Sequence, residues 1–364
     1  MLQNADVIVI GAGALGLSVG YHLAQRGVRT LILERESSFA QHASGKNAGM
    51  IRQLYHHPQL TDWALRSLEG WPAEVRSCSF RLTGSLVVGR TVPGHHQSLF
   101  EQRVVETSLG PVNAVYTKTD GLLKPDQYMS ALLDATSKNH LTLQLSTEVA
   151  SVKQVGDLWE VITKNGGKYQ ARWLVNAAGA WLNRFLSGDV EEELVHAEPF
   201  ARHLFLVSGW DRDYMPEHGV GFYWEEQQDW YVREWDDAYR LVSICDVQTA
   251  DPDSFVPEAN LREAVATKLR FALPEIAKNL KLGSGWHCFR TYTPDHLPIW
   301  GESSTRPRLF WLGAFGGFGM STSFAAGLDA ARYICGERVV VTDDFLPKRV
   351  QHVRNDRVTR VENQ

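Results

Sequence analysis

Cysteine is scarce in this chain of 364 residues, and its four copies, Cys78, Cys245, Cys288 and Cys335, lie far apart. That spacing supports neither a disulfide framework nor a zinc site. No apolar stretch approaches the ~18 residues that a bilayer-spanning helix needs, so none is expected. A surplus of one charge is also missing: 37 Lys and Arg stand against 42 Asp and Glu, a net charge of −5. With no basic stripe interleaved with aromatics, nucleic acid is excluded as a partner. The paired histidines at 56–57 and 95–96 have no further ligand at metal spacing; they read as solvated loop histidines, and no metal is expected. No charged leader precedes the first apolar run, so no signal peptide is expected and the location reads as cytoplasmic. Repeats, low-complexity tracts and long linkers are absent too. What remains is ordinary globular composition, 44% hydrophobic and 22% charged, with length for two domains and a substantial core.

The most informative stretch is ADVIVIGAGALGLSVGYHLAQRGVRTLILERE. Val7–Ile10 reads as a buried parallel strand that runs into Gly11-Ala12-Gly13-Ala14-Leu15-Gly16, a G-x-G-x-x-G pattern. Residues 13–26 then follow a helical period, with Leu15, Val19 and Leu23 on one face. A second apolar run, Thr30–Leu33, ends on Glu34. Gly11 permits the tight turn, Gly13 lets a pyrophosphate reach the backbone, and Gly16 lets helix and strand pack closely. The helix N-terminus supplies unpaired N–H groups and the positive end of its dipole. Glu34 can accept hydrogen bonds from ribose hydroxyls and would repel a 2′-phosphate. An adenine dinucleotide is the ligand these parts imply.

Downstream, helices are expected over Gln59–Glu74, Leu122–Lys138, Asn260–Phe271 and Ser321–Cys335. Strands are expected around a turn in 80–90, over Leu141–Val152 and Leu158–Thr163, and over Tyr169–Val175, with a Gly-Gly turn at 166–167. Residues 200–250 are rich in aromatics, among them Trp210, Tyr214, Phe222, Tyr223, Trp224, Trp230, Tyr231, Trp235 and Tyr239. Alternation over Trp230–Cys245 suggests antiparallel strands. The rings read either as one face of a sheet on its core or as the wall of a ligand pocket.

Three later segments decide which dinucleotide binds. WLVNAAGAW (173–181) ends a strand in small residues, and FWLGAFGGFGMSTSFAAG (310–327) is a glycine-rich loop opening a helix. GWHCFRTYTPDHLPIWG (285–301) carries a W-x-x-x-R-x-x-T-P-D-x-x-P-x-x-G pattern. With ERESSFAQHASGKNAG (34–49) and GLLKPDQYMSALL (121–133), they make the chain resemble, nearly end to end, the flavin oxidoreductases of the D-amino-acid oxidase, glycine oxidase and sarcosine oxidase superfamily. The resemblance implies an α/β fold: a Rossmann-like FAD-binding domain interleaved with an α+β substrate domain built on an antiparallel sheet. The FAD domain would take 1–84, 145–198 and 285–364, and the substrate domain 85–144 and 199–284.

The same resemblance places FAD along named positions. Its adenosine would lie at Glu34 and Arg35, with its pyrophosphate on Gly11, Gly13, Ala14, Leu15 and Gly16. Val149, Ala177, Ala178, Gly179 and Trp181 would border it, and Ser44, Gly45, Lys46, Asn47, Ala48 and Gly49 would cover the flavin. Gly316, Gly317, Phe318, Gly319, Met320 and Ser321 would present a helix N-terminus to the flavin N1–C2=O end, stabilising the reduced, anionic ring. Cys288 falls where sarcosine oxidases bond FAD through sulfur, which leaves non-covalent and covalent attachment both open. Met320 stands where those enzymes carry lysine.

For the substrate, the resemblance points to Arg290 as the carboxylate clamp, with Arg52 as a second arginine and Arg202 as a third. Either two arginines hold a diacid or one is structural. Tyr55, Tyr223 and Tyr231 are candidates for the pocket wall. The expected chemistry is hydride transfer from an amino or N-substituted amino acid to flavin N5, followed by hydrolysis of the imine. The acceptor would be oxygen or a quinone, and a quinone would put the protein peripherally at the inner membrane. Alternatives are a flavin dehydrogenase of a 2-hydroxy acid or polyol phosphate, or a flavin subunit of a larger complex. Homo- and hetero-oligomers are both open.

Overall fold

A computed structural model describes residues 3–351 apart from 94–97, 108–109, 187–192, 211–218, 228, 250, 275 and 341, and leaves the side chains of 3 and 244–248 undescribed. His95, His96, Tyr214 and the Cys245 side chain fall outside that description. One sheet has six strands in the order Leu141–Gln144, Thr30–Leu33, Val7–Ile10, Trp173–Asn176, Leu309–Gly313 and Ile299–Glu302. All its neighbours are parallel except the last pair. Val7–Ile10 and Thr30–Leu33 are buried throughout, as continuous apolar runs in a sheet covered on both faces must be. On one face pack the helices Ala14–Gln25, Gly319–Ile334 and Pro58–Gly70. On the other lies a four-stranded sheet that includes Val149–Val155, Leu158–Thr163 and Lys168–Ala171.

The third large element is an eight-stranded sheet, ordered Lys281–Tyr292, Glu198–Ser208, Arg240–Thr249, Trp230–Glu234, Phe222–Glu225, Ser85–Val88, Gly110–Thr117 and Glu101–Thr107. It is antiparallel except where Phe222–Glu225 runs parallel to Ser85–Val88. The helix Leu261–Ala272 covers one face through Val265 and Leu269. Ala48 and Met50, from the segment after the 44–47 loop, meet the other face.

Several expected elements shift for local reasons. The helix expected over Gln59–Glu74 is two helices, Pro58–Gly70 and Ala73–Ser79, because Pro72 forces Trp71 into an extended conformation. The helix expected from Leu122 starts at Pro125, where the fixed ring suits a first helical position. Gly121–Leu123 pairs instead with Met50–Ile51 and Phe80–Leu82. The strand expected over Tyr169–Val175 divides at Arg172 between two sheets. Leu141–Gln144 pairs in the parallel sheet, although 85–144 was expected in the substrate domain. Conversely, Lys281–Tyr292 is a strand of the eight-stranded sheet, although residues from 285 were expected in the FAD domain.

A buried carboxyl ties the two halves together. Asp120 accepts the Gln53 backbone N–H (3.1 Å), Gln53 Nε2 (2.9 Å) and Ser85 Oγ (2.6 Å). Burial raises its pKa from 3.8 to about 6, against the pull of those bonds. The folded state therefore binds this proton more tightly than the unfolded chain, and stability falls as pH rises from about 4 to about 6. The slope amounts to roughly 3 kcal/mol in all. Asp120→Asn keeps an acceptor for Gln53 and has no charge to lose. Melting temperatures measured across pH 4–7 are expected to show that part of the slope in the wild type and not in the variant.

Candidate active site

The parallel sheet opens along its carboxyl edge into a cleft lined by Ile10, Gly11, Leu33, Glu34, Ala177 and Gly313. Two features of the first turn shape it. Gly11 has φ +100°, and a Cβ there would stand 2.6 Å from the Ala177 carbonyl oxygen. A Cβ on Gly16 would stand 2.0 Å from the Gly11 carbonyl oxygen, so the helix can start this close only without side chains. That helix has no side-chain cap at Gly13, and the Ala14 N–H donates to Ser44 Oγ (2.9 Å). Glu34 is buried, with its two oxygens accepting the backbone N–H groups of Ala12 (2.8 Å) and Glu36 (2.9 Å). Glu34 lines the cleft. At the other end a second helix, Gly319–Ile334, also begins without a side-chain cap, and Gly319 and Met320 line the cleft. Two helix N-termini and a carboxylate at one end suit a dinucleotide with an anionic middle and ribose hydroxyls.

Of the cofactor positions expected from sequence, sixteen line this cleft: Gly11, Gly13, Ala14, Leu15, Glu34, Arg35, Ser44, Asn47, Val149, Ala177, Ala178, Gly179, Trp181, Gly316, Gly319 and Met320. The others sit behind it. Gly45 and Gly49 let the covering loop close, since a Cβ would meet the Ala40 and Leu123 carbonyl oxygens at 2.0 and 2.2 Å. Lys46 presents its carbonyl to Trp286 Nε1 (3.0 Å), and Ala48 presents its own to Arg233. Arg233 went unnoticed in the sequence. It is buried, and desolvation lowers its pKa to about 10. Cys288 does not line the cleft; it is buried with Ala48, Leu204, Tyr231 and Leu241. Its strand neighbours Phe289 and Thr291 line the cleft instead.

The expected substrate residues divide more sharply. Arg52 lies beside the second helix start, with its N–H donating to Ser321 Oγ (3.1 Å). Its guanidinium sits between two rings, 4.7 Å from Tyr55 and 4.1 Å from Trp224, and Tyr55 contacts Phe318 (5.2 Å between ring centroids). Arg290 reaches the same 316–321 turn, its Nη1 3.2 Å from where a Gly317 Cβ would stand. Tyr231 faces the 48–50 segment, but Tyr223 points to the opposite face, into the core under Leu261–Ala272. Strand alternation separates them, so Tyr223 does not wall the pocket. The reading as one face of a sheet on its core holds for Trp210, Tyr223 and Trp230. Arg202 is fully buried, 4.9 Å from the Tyr231 ring and paired with Asp229 at 3.3 Å.

A charge cluster completes the site. Glu226 receives Arg52 Nη1 (3.2 Å) on one oxygen and the fork of Arg90 on both, and Arg90 also donates to the Leu54 carbonyl (2.5 Å). The Arg52 and Arg90 side chains are only 6% and 5% exposed. Burial opposes the charge on Glu226, but the two arginines outweigh it and hold its carboxyl below the usual range. Burial and the neighbouring Arg52 lower the Arg90 pKa. Two cations bond one carboxylate, and the charge of Arg52 also acts on the Asp120 carboxyl. Among the described residues there is no His, Cys, Asp or Glu cluster able to hold a metal, and no helix long and apolar enough to cross a membrane.

Comparison with known proteins follows the same lines. Residues 6–333 match the family described as DAO, FAD dependent oxidoreductase. Over 224 residues the chain is 31% identical to the tRNA 5-methylaminomethyl-2-thiouridine biosynthesis bifunctional protein MnmC of Hydrogenovibrio crunogenus, covering 51% of this chain and 31% of that protein. Over 219 residues it is 28% identical to monomeric sarcosine oxidase of Bacillus sp. NS-129, covering 52% of this chain and 56% of the relative. The matched region thus spans about a third and about half of these relatives. In fold, the chain superimposes on glycine oxidase from Geobacillus kaustophilus with a TM-score of 0.78 and 20% identity, over 94% of this chain and 98% of that one.

Removing the Glu34 carboxylate would strand two amides without their acceptor, at about 1–3 kcal/mol for each group left buried and unpaired. Glu34→Ala is expected to lower the melting temperature by several degrees. Fluorescence titration with FAD should show affinity weakened by about tenfold or more, ~1.4 kcal/mol.

Proposed function

The chain belongs to the family of FAD-dependent oxidoreductases, and from that premise we propose that it oxidises the C–N bond of a small amino acid or N-substituted amino acid. The relatives' names and the arginines of the site support this reading. In it the parallel sheet carries FAD and the eight-stranded sheet carries the substrate. Gly11–Leu15 and Glu34 would hold the pyrophosphate and ribose, and Gly316 with Gly319–Met320 the flavin end. The chemistry supplied by FAD, when bound, is acceptance of a hydride at flavin N5.

One observation carries the substrate reading. Arg52 and Arg90 are both buried and both bond the one carboxylate of Glu226 beside the Phe318–Ser321 turn, while Asp120, which also feels the charge of Arg52, spends its hydrogen bonds on Gln53 and Ser85. A buried guanidinium with part of its fork unmatched is costly, and a substrate carboxylate would match it. Glu226 engages Arg52 through one Nη atom, so the rest of the guanidinium fork is left to meet a carboxylate in the bidentate way arginine favours. The Tyr55 and Trp224 rings both lie within cation–π distance of it. Arg290, packed on Gly317, brings a second guanidinium to the same turn. Held by its carboxylate at these arginines, an amino acid is oriented with its α-carbon toward the cleft. Ala48, Met50, Leu204, Leu241 and Tyr231 form the apolar surroundings that exclude water.

Arg52→Ala leaves Glu226 facing Arg90 alone and removes the proposed clamp. It is expected to lower kcat/KM by about 100- to 1,000-fold, the equivalent of roughly 3–4 kcal/mol. Arg290→Ala is expected to cost at least tenfold. The measurement is flavin bleaching in rapid-mixing experiments with a panel of D-, L- and N-methyl amino acids. A loss under threefold for both variants would sink the arginine clamp, and bleaching by none of the panel would sink the substrate class.

A further inference from the structure

Beyond the substrate reading, a short segment that follows a strand of the eight-stranded sheet reaches the cofactor cleft. Residues 251–255 follow the Arg240–Thr249 strand and lie outside any regular element. Asp253 accepts Trp181 Nε1 (2.8 Å) and Arg35 Nη1 (3.1 Å), and pairs with Arg184 Nη1 (2.5 Å). Asp251 takes the other arm of Arg184 at 2.6 Å. All three donors line the cleft at the end where Glu34 stands. The Arg35 guanidinium lies 3.9 Å from the Trp181 ring centroid, and the His42 ring is 4.5 Å from the same ring. Two residues on, Phe255 packs edge-on against His287 (5.0 Å) and Phe289 (5.5 Å), and Phe289 also lines the cleft. Burial disfavours a charge on Asp253, but these bonds and the charge of Arg184 outweigh it and hold the carboxyl below its usual range. Asp253 is therefore ionised at neutral pH.

We propose that Asp253 is a cofactor-positioning residue and that residues 251–255 complete the FAD site from the opposite sheet. One carboxylate that receives an indole N–H and two guanidinium groups fixes the planes of all three, so the wall of the cleft beside Glu34 is set by a residue outside the dinucleotide-binding sheet. Phe255, behind Phe289, closes the gap between the segment and the cleft. The adenosine half of FAD is the ligand this wall faces, so retention of FAD depends on the segment. The idea does not rest on any particular substrate.

The test uses the purified FAD-loaded protein and follows recovery of free-flavin fluorescence after dilution. Asp253→Ala and Phe255→Ala are each expected to release FAD at least tenfold faster than wild type, with Asp253→Asn intermediate because it keeps one acceptor. Because the Asp253 and Arg184 side chains are 37% and 48% exposed, their pairing is screened by salt. Release from the wild type should therefore quicken between 0.05 and 0.5 M NaCl, roughly one Debye regime to the next, and Asp253→Ala should lose that dependence. If Asp253→Ala does not fold, Arg184→Gln, which leaves Trp181 and Arg35 on Asp253, is measured instead and should release FAD severalfold faster. Release within twofold of wild type in the variants that fold overturns the proposal. So does a lowered melting temperature of the FAD-free protein with unchanged FAD release, since that is a structural role alone.

Discussion

Two buried guanidinium groups beside a single carboxylate set the terms for the rest of the molecule. Arg52, Arg90 and Glu226 come from three distant stretches of chain, and the sheet topology is what assembles them. Ser85–Val88 and Phe222–Glu225 run side by side in the same direction, with Val88 opposite Glu225. Both strands therefore end at one edge, and the residues just beyond, Arg90 and Glu226, emerge together. An antiparallel pairing would have sent them to opposite edges. The Glu226 N–H donates to the Val88 carbonyl (3.0 Å), which continues the pairing to the point where the charges meet. Arg52 is brought in from the other side by Asp120, whose carboxyl holds the neighbouring Gln53 to the Ser85 strand.

The cofactor cleft meets a different electrostatic demand with different means. Besides Arg35 and Arg184, which are paired with carboxylates, it offers the partial positive charges of two helix ends, at Gly13–Leu15 and at Gly319–Met320. The loop over the cleft is held from the eight-stranded sheet. Arg233 donates to the Ala48 carbonyl and Trp286 to the Lys46 carbonyl, so both bonds cross from the eight-stranded sheet to backbone that covers the cleft. The stretch can stay irregular because its carbonyls are satisfied by side chains.

The dinucleotide half was readable from sequence because its chemistry is local. Gly11, Gly13, Gly16 and Glu34 lie within one strand–helix–strand unit, where spacing alone implies contact. The aromatic stretch was readable only in part. Alternation shows that Tyr223 and Tyr231 lie on opposite faces only once the strand boundaries and the turn between Glu225 and Trp230 are known. Glu226 and Arg90 left no signal, since each stands just past a strand in a turn and acquires meaning through a parallel pairing of chain segments about 135 residues apart. The helix expected through Glu74 failed on a visible cue, Pro72, which lies inside the span and breaks it. Asp253 was invisible for the reason Glu226 was: its partners Arg35 and Trp181 are separated from it by 218 and 72 positions.

One strand shows how the two sites stay separate while sharing a wall. Along Lys281–Tyr292, Phe289 and Thr291 line the cofactor cleft. Cys288 packs toward Ala48 and Tyr231, and Arg290 lies on Gly317. A strand with a side-chain period of two cannot put neighbours on one surface. The chain therefore meets the cofactor cleft with an aromatic ring and a hydroxyl, and meets the 316–321 turn with a guanidinium. The cation is kept off the dinucleotide's path and delivered to the turn where Arg52 also arrives. Glu198–Ser208 pairs along the length of this strand and carries Arg202 opposite Cys288, with its charge met by Asp229. Of the positive groups on this side of the sheet, Arg202 is thus paired with Asp229, whereas Arg52 and Arg90 converge on the one carboxylate of Glu226.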